Sequence, residues 1–323
     1  TLREWATPGG AKPPGVQQAN LEFVESQENF MAELADAAHA AAEHGAETTA
    51  QEYITHHLSY LTFGKHPDGH WGFAHTMEEA TEMGFMAFHV DTLFWSLFLG
   101  GGALLFFRWI GKKATSEVPN GAQNFVESIF EFVDERVSEG FNHKNPVIAP
   151  LALTVFVWIL LMNLMDLVPV DWLPEVAIFI GHLFGQEHMS FKVVPTTDPN
   201  ITLGMSFSIF ALIIYYSIKN KGAWGFFSEL AFHPFGKWMM PFNLMIEIPT
   251  LLAKPISLGL RLFGNLYAGE LLFLVISALL GLYQLPFHFV WAVFHILVVP
   301  LQAFVFMMLT IVYLNAAHDG VHH

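Results

Sequence analysis

Cysteine is absent from the 323 residues, which excludes disulfides, thiol chemistry and Cys-ligated metals. Charge is scarce: Asp, Glu, Lys and Arg together make 13% of the chain, about half of the ~25% of an ordinary soluble domain. Cations are scarcer still. There are 14 Lys and Arg against 29 Asp and Glu, for a formal charge of −15, so a nucleic-acid partner is not expected. No G-x-x-x-x-G-K-[ST] segment occurs, which leaves the chain without a nucleotide site of that type. Residues 1–60 lack an apolar core of roughly 7–15 residues behind a basic start, so no secretory signal is expected there. Neither a cofactor nor a metal site is expected.

What the chain has in excess is apolar surface: 53% hydrophobic residues, with 32 Phe and 9 Trp. Apolar runs cover about 90–110, 147–168 and 201–218, and a fourth from about 241 to 314 is too long for one crossing. It breaks near Tyr283-Gln284-Leu285-Pro286, giving segments of about 241–282 and 286–314. The expected fold is an all-α polytopic membrane protein with five membrane helices. At ~1.5 Å per residue the fourth helix would reach ~60 Å, twice the ~30 Å hydrocarbon core, so it must tilt steeply. With its successor it should form a tilted helical hairpin. Between spans one and two, Val126, Ile129, Phe130, Val133 and Val137 recur at helical spacing among Glu127, Glu131, Asp134 and Glu135. That pattern predicts an amphipathic helix on the cytoplasmic surface.

Arg108, Lys112, Lys113, Arg136, Lys144, Lys219, Lys221 and Lys237 fall on one side of these spans, eight of the 14 basic residues. That side is expected to be cytoplasmic, with the N-terminus outside and the C-terminus inside. Arg3, Lys12, Lys65 and Lys192 lie on the other side. Residues 1–54 are expected as an external, partly disordered extension and 317–323 as a cytoplasmic tail. His39, His44, His56, His57, His66, His70 and His75 crowd the outer region and read as solvated surface histidines.

A guanidinium does not lose its charge, and one near a bilayer centre costs ~3 kcal/mol on insertion scales. Arg261 sits in Lys254-Pro-Ile-Ser-Leu-Gly-Leu-Arg-Leu-Phe-Gly-Asn-Leu-Tyr-Ala-Gly-Glu-Leu-Leu272, inside the fourth span. At about 100° per residue, Ser257, Gly264, Asn265 and Ala268 lie within about 60° of it, a stripe of small residues. Glu270 points the opposite way. Antiparallel counting through the hairpin puts Glu270 near His295 and Asn265 near Gln302. Asn163 and Asp166 lie at the outer end of span two, and Glu247 lies toward the inner side. Intramembrane Asp, Glu and His chains commonly mark proton relays. A buried Glu270–His295 pair and a helix-capping Asp166 would be the structural alternatives. No acidic residue of the chain falls on the face of Arg261, so its partner is expected on another subunit.

The segment 254–272 resembles the signature of subunit a of F-type ATP synthases, the stator channel of the membrane sector. Ile148-Ala-Pro-Leu-Ala-Leu-Thr-Val-Phe-Val-Trp158, Leu161-Met-Asn-Leu-Met-Asp166, Trp291-Ala-Val-Phe-His-Ile-Leu297 and Leu301-Gln-Ala-Phe304 are similar to the bacterial form. The resemblance covers roughly 55–316. It implies that Arg261 faces a rotor ring of c subunits and separates two half-channels. Asn163, Asp166, Asn265, Glu270, His295 and Gln302 would line the outer one, and Glu247 and Ser257 the inner one. Further implied partners are the b-subunit peripheral stalk, the remaining synthase subunits and the lipid bilayer. The implied location is the bacterial inner membrane. Pro249 and Pro300 depart from the family pattern, and kinks there would shift Glu247 and Gln302. Gly204 stands where a small polar residue is expected, with Ser206 nearby. The competing readings are a secondary transporter, for which the chain shows no internal repeat, and a structural subunit of another energy-transducing membrane complex.

Overall fold

A computed structural model of the chain describes residues 59–74, 77–143, 145–167, 192–232, 235–280 and 283–318. Three short strands, β1 (Thr62–Lys65), β2 (Trp71–Phe73) and β3 (Ala87–His89), form an antiparallel sheet in the order β2-β1-β3. Helix α1 (Met77–Glu82) lies between β2 and β3. The remaining helices are α2 (Val90–Lys113), α3 (Gly121–Gly140), α4 (Ile148–Leu164), α5 (Pro199–Phe232), α6 (Met240–Leu280) and α7 (Gln284–His318). Five of these, all but α1 and α3, are long and apolar enough to cross a membrane. The extension 1–54, its histidines, His56, His57, His75, Lys144 and the tail beyond His318 lie outside the described residues.

Local chemistry sets the helix starts. Asn120 caps α3 by accepting from the Gln123 amide at 2.9 Å, and Asp198 caps α5 by accepting from Asn200 N at 2.9 Å. Each satisfies an amide that the first helical turn leaves open. Pro199 follows Asp198 as the first residue of α5, where a missing N–H removes nothing. Pro249 and Pro255 lie inside α6 and Pro300 inside α7, and both helices run on through them. Both helices are therefore continuous at Pro249 and Pro300. Neighbouring helices hold the main chain near two of these prolines: Ser206 Oγ donates to Pro255 O, and Asn163 Nδ2 donates to Val299 O at 3.4 Å. Such neighbours are what makes proline tolerable in a membrane helix.

The expected break between the last two spans falls between Leu280 and Gln284. Helix α5 outruns its expected span, because it continues past Gly222, whose φ of 74° bends it. Only glycine takes that conformation freely. The bend is braced. Lys221 Nζ lies 2.8 and 3.0 Å from the Glu229 carboxylate beyond the bend and 3.4 Å from Ala316 O of α7. Past it, the buried Asn243 carboxamide donates to Ala231 O and Gly236 O, each at 3.1 Å, tying the end of α5 to the start of α6.

Helix α6 packs most extensively along α5, and α7 along α4, so the hairpin α6–α7 is opened by its neighbours as much as closed on itself. The core between them holds Ile159, Met162, Leu262, Leu266, Met307 and Ile311. Helix α3 buries Val126, Val133 and Val137 and exposes Glu127, Glu131, Asp134 and Glu135, as the spacing predicts, while Phe130 of the expected apolar face is exposed. Its apolar face meets α4 and α7 of the same chain. In lipid no hydrophobic force drives helices together, so close backbone approach does the work. A Cβ on Gly259 would come within 2.8 Å of Leu203 Cδ2 and 3.2 Å of Thr202 O. One on Gly100 would come within 2.8 Å of the Trp158 indole, which donates to Ser96 O at 2.9 Å.

Gly101, by contrast, has open space beside it. Gly100→Leu should lower the thermal stability of the detergent-solubilised complex, by ~1–3 kcal/mol of overpacking, and Gly101→Leu should not. Equal melting temperatures for the two variants would refute the α2–α4 contact.

Candidate functional site

Helix α6 carries two opposite chemical faces. Arg261, Ser257, Asn265 and Ala268 are exposed on one, with Gly264 half-buried. Among the described residues no ion pair reaches the Arg261 guanidinium. Its carbonyl accepts from Gln302 Nε2 at 3.3 Å, so the buried Gln302 fixes α7 against α6 behind the arginine. Glu247 lies 14 residues before Arg261, ~21 Å along the axis, and is half-buried.

On the opposite face Glu270 is 4% exposed, and the Lys192 ammonium, 3% exposed as a residue, stands 3.1 Å from its Oε2. Lys192 Nζ also reaches Tyr60 Oη at 3.5 Å and lies over the rings of Tyr60 and Tyr267, at 4.7 and 5.7 Å from their centroids. Its main chain is held by Asp91, in the first turn of α2. Asp91 Oδ2 accepts from Lys192 N and Leu61 N, both at 2.9 Å, and Oδ1 accepts from Thr92 N at 2.8 Å. One buried carboxylate thereby joins the strand entry, α2 and the segment leading to α5.

His295 forms the third part. Its Nε2 pairs with the Asp166 carboxylate, in the 3₁₀ turn Met165–Leu167 that follows α4, and both groups are buried. The imidazole lies against Gly269, where a Cβ would come within 2.9 Å of Nδ1. Trp291 Nε1 donates to Gly269 O at 3.2 Å. Asn163, fully buried, stands one helical turn before Asp166.

The expected meeting of Glu270 with His295, and of Asn265 with Gln302, is replaced by other partners. Antiparallel counting fixes height along a hairpin but not rotation about each axis. Helix α7 turns His295 toward the end of α4, and α6 turns Glu270 toward the 192–198 segment. Asn265 stays on the open face with Arg261. Sequence reasoning missed Lys192, counted only as an outer charge, along with Asp91, Asp198, His89 and Tyr60. Two signals were present: Asp91 opens an apolar span, and Asp198 immediately precedes the helix-starting Pro199.

A clamp adjoins the cluster. His89 Nδ1 meets Asp198 Oδ2 at 2.7 Å, and Thr92 Oγ1 donates to the same oxygen at 2.8 Å. Tyr60 stacks on His89 with centroids 4.3 Å apart and donates through its hydroxyl to Thr197 O at 2.8 Å. Burial alone would lower the His89 pKa, but the hydrogen bond and charge of Asp198 outweigh it and raise it above 6.5. Burial would raise Asp198, but the His89 contact and two further hydrogen bonds bring it below 3.8. Burial, then the charge of Asp198, pushes the Tyr60 phenol up.

Chemically, the described residues offer three acid–base pairs at one end of the bundle, His295–Asp166, Lys192–Glu270 and His89–Asp198, and a cation, Arg261, that no ion pair reaches on an open face. Each buried pair can hold or pass a proton without leaving a bare charge in lipid. The fold and site thus define a multi-pass membrane protein of the ion-conducting kind, its spans all helical. The family model of the ATP synthase A chain matches residues 93–315, and the chain belongs to that family. It is 60% identical to ATP synthase subunit a of Ruthia magnifica subsp. Calyptogena magnifica over 276 residues, 85% of this chain and 97% of that one. It is 62% identical to ATP synthase subunit a 2 of Hahella chejuensis over 85% of this chain and 99% of the relative. With ATP synthase subunit a of Pseudomonas fluorescens strain Pf0-1 it shares 58% over 86% and 100%. Family membership makes it the proton-translocating stator subunit of the ATP synthase membrane sector.

Two outcomes are expected. Removing one partner of a buried ion pair costs ~3–5 kcal/mol, so Lys192→Met should sharply lower the melting temperature of the complex. Adding Glu270→Gln should recover part of the loss, since a neutral amide needs no counter-charge; a double variant no more stable than Lys192→Met would sink the pairing. The His89–Asp198 clamp has a pH window. The raised histidine contributes stability below about 6.5 and loses it as pH climbs through its folded pKa. The lowered aspartate contributes above about 3.8 and loses it as pH falls through its own. Amide protection of 60–62, corrected for intrinsic exchange, should therefore decline above neutral pH, and His89→Gln should abolish that decline.

Proposed function

We propose that protons enter from the outer face through the Asp166–His295 and Glu270–Lys192 pairs, and reach a carboxylate on a rotor of c subunits facing Arg261. They leave by a second route on the inner side, past Ser257 and Glu247. The observation that carries this reading is Arg261, a permanent cation on an exposed, small-residue face of α6 that no ion pair reaches among the described residues. A counter-charge on another chain fits this face, and small residues let that chain approach.

The chemistry follows from electrostatics. A carboxylic acid arriving opposite Arg261 is driven to ionise, and a proton approaching the guanidinium is repelled, so the two routes do not connect directly. Protonation from the outer pairs neutralises the rotor carboxylate, which can then leave the arginine and enter lipid without a charge penalty. After the rotor has carried it round, the inner route accepts the proton. Asn163, Asn265 and Gln302 supply hydrogen-bonding groups along the outer route. The rotation couples to ATP synthesis in the rest of the complex, and a b-subunit stalk holds this subunit against it. The chain lies in the bacterial inner membrane, with the N-terminus outside and the C-terminus in the cytoplasm; the basic residues beside the inner ends of the spans support that orientation.

Arg261→Ala should abolish proton-driven ATP synthesis while the complex still assembles, and Arg261→Lys should not restore it fully, because an ammonium can lose its proton. In the naturally cysteine-free chain, Gly264→Cys should cross-link to a cysteine placed on the c subunit. Normal synthesis by Arg261→Ala, or cross-linking to another subunit in place of c, would overturn the assignment.

A further inference from the structure

The three-stranded sheet has one face that the helical bundle does not cover. Its register places Phe63 opposite both Phe73 and Phe88, and Lys65 opposite Trp71. Directly opposed residues share a face, as do residues two apart on one strand. Phe63, Phe73, Phe88 and Trp71 therefore make one aromatic surface, with Lys65 at its margin. Within it Phe63 stacks on Trp71 at 6.1 Å and meets Phe73 edge-on at 5.1 Å. Phe88 is 57% exposed, Trp71 50% and Phe73 40%. The reverse face carries Thr62, Gly64 and His89. Thr62 and Gly64 are buried, and His89 holds Asp198.

Sequence continuity fixes where this surface lies. Strand β3 ends at His89, and the membrane helix α2 begins at Val90 with no intervening loop. Phe88 is thus two residues from the first residue of a span. At ~1.5 Å per residue the 24 residues of α2 reach ~36 Å, slightly more than the ~30 Å hydrocarbon core, so Val90 stands at the edge of the hydrocarbon. The exposed side of α2 continues as Leu93, Phe94, Leu97 and Phe98, an apolar stripe running down the span from the sheet. An aromatic surface rimmed by lysine, at that depth and joined to a lipid-facing stripe, has the composition of an interfacial anchor. Rings suit the headgroup boundary, and the ammonium reaches water.

We infer that the β2-β1-β3 sheet inserts its aromatic face into the outer headgroup layer of the bilayer, so that lipid is its occupant. The sheet then acts as a float that sets the depth of α2 and steadies the His89–Asp198 clamp on its reverse side. This reading depends on α2 crossing the membrane and not on the proton route.

The test uses spin labels on single cysteines, Phe73→Cys, Phe88→Cys and Asp68→Cys at the exposed β1–β2 turn, in the intact ATP synthase in phosphatidylethanolamine/phosphatidylglycerol vesicles. Collisions with oxygen should exceed those with a water-soluble nickel chelate several-fold at 73 and 88, and the order should reverse at 68. Water-like collision rates at 73 and 88 would overturn the inference. So would shielding from both reagents, which marks cover by another subunit or by residues 1–58. If the cysteine variants fail to assemble, Trp71 supplies the readout. The fluorescence lost in Trp71→Phe should be strongly quenched by headgroup-proximal brominated lipid, and an unquenched signal would reject lipid contact.

Discussion

The ion pair between Lys192 and Glu270 is the interaction on which the sheet-bearing half of this molecule is organised. Two opposite charges out of water are stable only together, so wherever Glu270 sits in α6, the segment carrying Lys192 must come to it. Asp91 holds that segment by its main chain and Asp198 starts α5 six residues later, so one electrostatic requirement positions α2, α5 and α6 relative to each other.

Arg261 obeys the opposite rule. Its helix face is smooth because Ser257, Gly264 and Ala268 are small, and it is open because no described acid reaches it. Among the described residues, Lys192, Glu270, Asp166 and His295 are paired inside the subunit, whereas Arg261 stands on its surface without an ion pair. That contrast separates what the chain does alone, which is to shelter pairs, from what it needs a neighbour to complete.

Much of this was legible in the chain. Five apolar runs, the break before Pro286, the amphipathic spacing from Val126 to Val137 and the opposed faces of Arg261 and Glu270 all follow from residue type and helical period. The pairings did not follow. Helical period gives the direction of a side chain about its own axis, but partner choice depends on how neighbouring helices rotate, which residues such as Gly269 and Gly100 determine through close approach. Lys192 was hidden for a different reason. It lies in no periodic segment, and a lone lysine in a loop reads as solvated until the loop is known to fold inward. Proline breaks isolated helices, whereas at Pro300 the neighbouring α4 reaches the adjacent carbonyl of Val299 and the helix runs on.

The bend at Gly222 has a mechanical meaning. A stator feels a sideways push from whatever turns against it, and a long helix resists compression well but bending poorly. Turning α5 at one glycine and bracing the corner from Lys221 to Glu229 and to Ala316 converts a cantilever into a triangulated frame. Force applied along α6 then reaches α5 through Asn243 and passes to α7 at the corner, and is borne as tension and compression along helix axes.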